Sequence, residues 1–391
     1  MDKDTNYVFI ICDCLRVEQA YDTEIMPFLN KLKELNSSSD RAYTNAPSTH
    51  FAVPALMTGF IPFQRTRYAG INDDNSDEFL AKIFQEQGFR TYGITTNAVT
   101  SRAFGYNYGW DYFEDYWGDM KSLNEVKKGI VKSLPEPIRE HIIKPIFKML
   151  RGKVLTPVKV KEDIRGGKIV KTLEKLQLKK KTGNFIFLHF MEPHSPYIPK
   201  ELSKKQQIKA VELNNKLQYQ PEELNEDEIK DLKDLYIQEC KDLDKCLEHV
   251  FEALKNLLEI DKTRIVITAD HGEAFNETGY TEHKTDCPID NMSHLTVPLV
   301  TVNLPLDKKN DYWSVDINRM FNPASKGFKG TERAICVGYK SLKGSSVKKK
   351  KYTTSYIFDL KNSRKIDDIA SLPFKTSSSK SDEEILEGIS I

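Results

Sequence analysis

Arg264-Ile265-Val266-Ile267-Thr268-Ala269-Asp270-His271-Gly272-Glu273 is the stretch on which the reading of this chain turns. Its first half, rich in β-branched side chains, has the composition of a short strand buried on both faces. Open α/β sheets gather ligand chemistry at the carboxyl ends of their strands, and there stand Asp270 and His271. A carboxylate beside an imidazole supplies a hard oxygen and a borderline nitrogen donor. Gly272 frees the backbone to turn so that both meet one point. The pair taken alone also fits a plainer reading, with Asp270 capping a helix and His271 an ordinary loop histidine. The rest of the chain decides, by supplying partners or failing to.

A chain of 391 residues can bury one large α/β domain, or such a domain with a smaller lobe. The 58 Lys+Arg nearly balance the 57 Asp+Glu, which argues against a global nucleic-acid binder, and no nucleic-acid partner is expected. The polar opening Met1-Asp2-Lys3-Asp4-Thr5-Asn6 leads into six apolar residues, too few for a signal core or a membrane span. No later apolar run reaches spanning length. With six cysteines scattered through a lysine-rich chain, the expectation is reduced thiols and a cytoplasmic place. Cys12-x-Cys14 has the spacing of a metal pair, but strand alternation sends Cys12 into the sheet.

Tyr7 to Cys12 is a continuous apolar run, a strand buried on both faces, and it ends at Asp13. Met26 to Leu35 reads as a helix with Pro27 near its start, ended by Ser37-Ser38-Ser39-Asp40. Arg41 to Gly59 leads through Asn45-Ala46-Pro47 into a helix over Ala52 to Thr58, closed by Gly59, with Thr49 just before or at its N-terminus. Helix-start amides favour a negative group, which suits a hydroxyl that loses its proton or holds a phosphate. An N-capping threonine without chemistry fits the local sequence too. A helix over Phe79 to Gln87 and a strand over Phe89 to Thr96 continue the alternation, so the fold class is α/β: a mostly parallel central sheet with helices on both faces. Asn97 at that strand's end reads as a ligand contact or a turn asparagine, and Trp110 to Trp117 as an aromatic surface flap.

Residues 121–160 carry ten Lys/Arg against three Glu, with Ile138, Ile142, Ile146 and Leu150 at helical spacing. Such a basic segment reads as a contact with an anionic membrane surface or polysaccharide, or as a lid with a solvated face. Lys161 to Leu178 resumes as a helix, and Asn184 to Phe190 is a third apolar strand. It runs into Met191-Glu192-Pro193-His194-Ser195-Pro196-Tyr197, whose prolines hold His194 above the sheet. Lys200 to Glu228 reads as a polar connector, and Leu232 to Leu258 as a long helix delivering the chain into Ile265. Glu282-His283-Lys284, a structural His294 and a strand from Val297 to Val302 follow. Residues 306–391, with the Lys348–Lys351 charge run and Ser377-Ser378-Ser379, read as a C-terminal subdomain with a mobile tail.

Asp13, Thr49, Asp270 and His271 form an ordered set, and their motifs resemble the sulfatase family of the alkaline phosphatase superfamily. That family opens with an apolar strand and Asp-x-Leu-Arg, here Asp13-Cys14-Leu15-Arg16. Its nucleophile lies ten residues before the Gly of a Leu-Leu-Thr-Gly stretch; Leu56-Met57-Thr58-Gly59 then places it at Thr49. The histidine loop is similar to Met191 to Tyr197, the late metal motif to Asp270-His271-Gly272-Glu273, and the next strand to Val297-Pro298-Leu299. The resemblance covers about residues 5 to 305 and implies an alkaline-phosphatase-like sandwich: a sulfatase-like catalytic domain over 1–305, with the basic insertion at about 118–160, and a small C-terminal region over 306–391.

Departures from the family pattern bear on the chemistry. Where sulfatases proper carry Cys or Ser, Pro and Arg at alternate positions, this chain has Thr49, Phe51 and Val53, and threonine is not the residue converted to formylglycine. Cys14 replaces a second Asp, and His271 an Asn. A Thr nucleophile at Thr49 with the Asp270-His271 metal pair resembles the phosphoethanolamine and phosphoglycerol transferases and lipoteichoic acid synthases of the superfamily. The implied centre holds one divalent metal on Asp13, Thr49, Asp270 and His271, with Thr49 as nucleophile and His194 and His283 at the non-bridging oxygens of an anionic ester. Imidazole among the ligands favours Mn or Zn, with Ca or Mg as alternatives. A phosphate-ester hydrolase or phosphotransferase is the leading expectation, against a true sulfatase or a binding protein that keeps the fold.

Overall fold

The apolar run at the start forms strand β1 (Asn6–Cys12), every residue of which is buried, as a strand covered on both faces must be. A computed structural model describes residues 1–60, 70–71, 76–116, 165–277, 281–283 and 292–325, with short strands at 334–336, 356–359 and 364–366. Its further strands are β2 (Ser37–Ser39), β3 (Ala42–Tyr43), β4 (Arg90–Thr95), β5 (Tyr112–Glu114), β6 (Asn184–Phe190), β7 (Thr263–Thr268), β8 (Leu299–Val302) and β9 (Tyr312–Trp313). Seven of them make one sheet in the order β2-β8-β7-β1-β6-β4-β5. β1, β4, β5, β6 and β7 run parallel, while β8 pairs antiparallel with both β7 and β2. The expected mostly parallel α/β sheet is therefore the fold.

Helices α1 (Val17–Ala20), α2 (Pro27–Leu35), α3 (Thr49–Thr58), α4 (Leu80–Glu86), α5 (Gly166–Lys175), α6 (Lys204–Tyr219), α7 (Glu226–Leu257) and α8 (Ser314–Phe321) cover it. Phe321 of α8 lies against Tyr7, Phe9 and Phe185, and Phe84 of α4 stacks on Phe185. The long α7 packs against α2, α5 and α6. Burial of these rings supplies the main drive for folding, at about 25 cal/mol per Å² of apolar surface.

Three local readings change. Lys200 to Glu228 is not a plain connector: it holds α6, started by a capping box between Ser203 and Gln206 and seated on buried Ala210, Leu213 and Leu217. Ser37 to Ser39 does not merely end α2. It forms edge strand β2, because β8 offers it a free ladder of backbone groups. Trp110 of the expected flap stacks on Phe113, Phe185 and Phe187 beside edge strand β5, so the aromatic cluster closes that side of the core.

Packing of the main core continues beyond residue 305, through Trp313, Val315, Ile317 and Phe321. Strands at 334–336, 356–359 and 364–366 form a separate antiparallel sheet. The basic segment 121–160, Lys348–Lys351 and Ser377–Ser379 lie outside the described residues. Among the described residues no helix is long and apolar enough to cross a membrane.

Candidate metal centre

Parallel pairing of β1 with β7 sets Ile11 opposite Thr268, so the residues two places on, Asp13 and Asp270, leave the sheet side by side. Both carboxylates are fully buried. His271 follows Asp270 into a turn that only glycine allows: a Cβ on Gly272 would lie 1.8 Å from the Ser293 carbonyl oxygen. The Gly272 amide donates to the His294 carbonyl at 2.9 Å, and His294 Nε2 lies 2.9 Å from the Glu282 carbonyl oxygen. His294 thus pins the loop.

Thr49 is the first residue of α3, after Ser48 in an extended conformation. The helix ends at Gly59, at φ 75, where a Cβ would meet Ser325 Oγ and Asn318 Oδ1; Asn318 also donates to the Leu56 carbonyl at 2.8 Å. This packing on α8 aims the N-terminus of α3 at the strand ends. Thr49 Oγ1 comes within 3.2 Å of His271 Nε2, which lies 3.4 Å from Asp270 Oδ2 and 3.9 Å from Asp13 Oδ1.

The electrostatics of this group call for a cation. Burial and the neighbouring Asp270 push the Asp13 carboxyl well above its usual range. Burial acts on Asp270 in the same direction, but the imidazoles of His271 and His189 and the Cys14 amide outweigh it and hold Asp270 low. Among the described residues Asp270 Oδ2 has no hydrogen-bond partner. Burial holds the His271 imidazole near a pKa of about 4, hence neutral, as a metal ligand must be. Two buried carboxylates, a neutral imidazole and a hydroxyl converging on one point fit a divalent metal.

His194 and His283 face the same space, with ring centroids 4.6 Å apart, and the His271 and His283 rings are 4.5 Å apart. The His194 loop is held from three sides. Glu192 accepts the Gly166 amide at the start of α5 at 2.8 Å, Asn214 of α6 bonds the Tyr197 backbone, and the Tyr197 hydroxyl donates to Glu273 at 2.7 Å. Both Glu192-Pro193 and Ser195-Pro196 are cis. Burial and His283 bring His194 down to about 3. His283 is pulled down by burial, but Glu273, 3.2 Å from its Nδ1, raises it to about 9, and the same pairing takes Glu273 to about 2. A cleft of about 310 Å³ opens between these two histidines, Ile198 and the α6 side chains Val211, Asn215 and Gln218.

The structure thus brings together Asp13, Thr49, Asp270, His271, His194 and His283 from five separate stretches of sequence. It adds neighbours to which the sequence assigned no settled place in the centre. Asn97, read only as a contact or a turn residue, donates its amide to Asp13 Oδ2 in a short hydrogen bond. His189 Nε2 lies 3.7 Å from Asp13 Oδ2, hidden in the sequence inside an apolar run. Glu273 sits in the late motif without an assigned role, and its pairing with His283 ten residues on is a tertiary event. Cys14 Sγ sits 3.2 Å from Asp13 Oδ1.

A hydroxyl at a helix start, facing buried carboxylates and imidazoles at the ends of parallel strands, defines an ester-processing centre of the hydrolase or transferase kind. The chain belongs to the Sulfatase family, whose model matches residues 5–308. No curated protein matches it in sequence. Among solved structures it resembles the C-terminal periplasmic domain of EcEptC from Escherichia coli in complex with Zn, at 14% identity and a TM-score of 0.53 over 83% of each chain. The phosphonate monoester hydrolase of Silicibacter pomeroyi is similar at 14% identity and a TM-score of 0.57, over 88% of this chain and 81% of that one. The periplasmic domain of the phosphoethanolamine transferase EptC from Campylobacter jejuni is similar at 12% identity and a TM-score of 0.50, over 82% and 89%.

Proposed function

We propose that this chain is a metal-dependent phosphate-ester or phosphodiester hydrolase, or a phosphotransferase, acting through Thr49. One observation carries the reading: Thr49 Oγ1, at the start of a helix, lies 3.2 Å from His271 Nε2 and faces the buried Asp13–Asp270 pair. A divalent metal held by Asp13, Asp270, His271 and the Thr49 oxygen would lower the pKa of the hydroxyl and offset the charge of the ester. Zinc or manganese fits the imidazole donor best, and the zinc complex of the EcEptC domain supports zinc.

Thr49 Oγ, having lost its proton to solvent, attacks phosphorus; an O–P bond forms as the bond to the leaving alcohol breaks. His194 and His283 meet the non-bridging oxygens. His283, protonated near neutral pH through Glu273, gives its proton to the departing alkoxide. Water or an acceptor alcohol then resolves the phosphothreonine. The cleft of about 310 Å³ beside the two histidines has room for a small alcohol portion of the ester.

Intact-protein mass after brief exposure to phosphate and sulfate donors tests the reading. A phosphoryl-containing adduct on Thr49 supports it; turnover of aryl sulfate alone, with no phosphate adduct, replaces it with a true sulfatase. Absence of bound metal by elemental analysis, with no turnover of either ester, leaves a binding protein that keeps the fold.

The basic segment 121–160 supports an anionic membrane-surface or polysaccharide substrate. Unchanged liposome and polysaccharide binding after neutralising Lys144, Lys148 and Arg151 removes that support. For the compartment, four buried free cysteines fit the reducing cytoplasm, whereas the EptC domains are periplasmic; cell fractionation decides.

A further inference from the structure

Behind the loop that carries His194 lies a set of buried charges for which the chemistry above has no use. Glu192 belongs to the loop itself and Glu239 to the middle of α7, and both are buried; Arg165, largely covered, stands at the start of α5. Arg165 forms a short ion pair with Glu239 through Nη1 and donates through Nη2 to the Pro196 carbonyl at 3.2 Å. Glu239 Oε1 also accepts the Ile198 amide at 2.8 Å, while Glu192 accepts the Gly166 amide with both oxygens, at 2.8 and 3.1 Å. Apart from the ion pair, each of these bonds ties the loop to a helix, and they fall on both sides of His194. Burial pushes both carboxyls up, Glu239 to about 7, and for each the first charge to pull it back down is Arg165.

Buried ion pairs add little net stability, because desolvation consumes most of the attraction. Their bonds are directional, however, and a planar guanidinium fixes two acceptors at once. We infer that Arg165 and Glu239 are positioning residues: their pair draws residues 191–198 onto α5 and α7 and so sets where the His194 ring meets the substrate. The inference rests on the reading of His194 as a contact to the non-bridging oxygens of the ester. It extends the machinery of that reading to two side chains that touch neither the ester nor the strand ends.

A double-mutant cycle on the full zinc-loaded chain tests it, with hydrolysis of bis(p-nitrophenyl) phosphate at pH 8 as the readout. Glu239→Gln keeps an oxygen for the Ile198 amide and removes the charge, and Arg165→Lys keeps the charge and removes the fork. Each is expected to lower kcat/KM about 10-fold or more in the wild-type background. In a His194→Ala background neither is expected to cause a further loss, since residues that act through a third are non-additive with it. Equal losses with and without His194 would assign the pair to general stability and overturn the inference alone. Wild-type turnover in His194→Ala overturns the reading of His194, and the inference with it. Hydrogen exchange followed by mass spectrometry supplies a measurement on the unaltered chain: the Ile198 amide is expected to be protected, and exchange at the rate of a free peptide overturns the clamp whatever the kinetics show.

Discussion

Asp13 and Asp270 leave adjacent parallel strands side by side, both fully buried, and turn their carboxylates toward the same nitrogen, His271 Nε2, at 3.9 and 3.4 Å. Two such groups repel one another in a low-dielectric interior, and this arrangement is stable with a cation between them. On the metal reading proposed above, the metal-free chain carries a stability cost. Asp13→Asn is expected to raise the denaturation midpoint of the metal-free protein, by about 1 kcal/mol, while abolishing the rise in Tm that Zn²⁺ or Mn²⁺ gives wild type. For wild type that rise corresponds to about 2.7 kcal/mol at a metal concentration of 100 times Kd.

Thr49→Ala is expected to lower phosphodiester and phosphomonoester turnover by on the order of 10³-fold or more, with no adduct on the intact protein. Thr49→Ser keeps the hydroxyl at the helix start and is expected to form the adduct. Steady-state kinetics beside mass spectrometry checks both. Unchanged turnover in the alanine variant removes Thr49 from the chemistry.

Glu273 and His283 make the metal-free centre sensitive to pH. Glu273 titrates near 2 when folded against an ordinary 4.5, so its contribution is present above about 4.5 and is lost as pH falls toward 2. His283 titrates near 9 against 6.5, so its contribution is full below about 6.5 and is lost as pH rises through 9. The pair therefore stabilises most between about pH 4.5 and 6.5. Denaturant titrations of the chelator-treated protein are expected to show stability falling by roughly 3 kcal/mol from this pair between pH 6.5 and 9.5. Glu273→Gln should flatten that limb, and an equal slope in the variant would remove the pair as its source.

Asn97 donates to Asp13 Oδ2, so it orients the carboxylate proposed to hold the metal. Asn97→Ala is expected to weaken metal binding about 10- to 100-fold, read by calorimetry, and to leave the fold intact by circular dichroism. Metal affinity equal to wild type would assign Asn97 to the turn alone, where its Oδ1 accepts the Val99 amide at 2.6 Å.

Gly272 is the narrowest point of the centre. Gly272→Ala must displace the Ser293 carbonyl or the chain at His271, and is expected to cost about 1–3 kcal/mol of stability together with the metal-dependent rise in Tm. Thermal scans with and without metal separate the two losses.

The amino-acid sequence carried much of this by pattern. The apolar runs before Asp13, His194 and Asp270 told of parallel strands because full burial on two faces leaves no polar alternation. Thr49 was a nucleophile candidate through the family resemblance, which places that residue ten before Gly59, and one helix spans the interval. α6 went unread: its apolar positions are sparse among charges, and the Ser203–Gln206 capping box was the signal that could have found it.

What the sequence determined by itself is the set of elements, the strand-end positions of Asp13 and Asp270, and the family motifs. These are local matters of periodicity and spacing. Only the tertiary structure decided that Ile11 pairs with Thr268, which brings two carboxylates from opposite ends of the domain together. It alone decided that Glu273 charges His283, that Asn97 and His189 flank Asp13, and that Cys14 turns into the cluster. The physical reason is burial: removed from water, each polar group takes its properties from whichever neighbour the fold delivers, and a linear sequence does not state that neighbour.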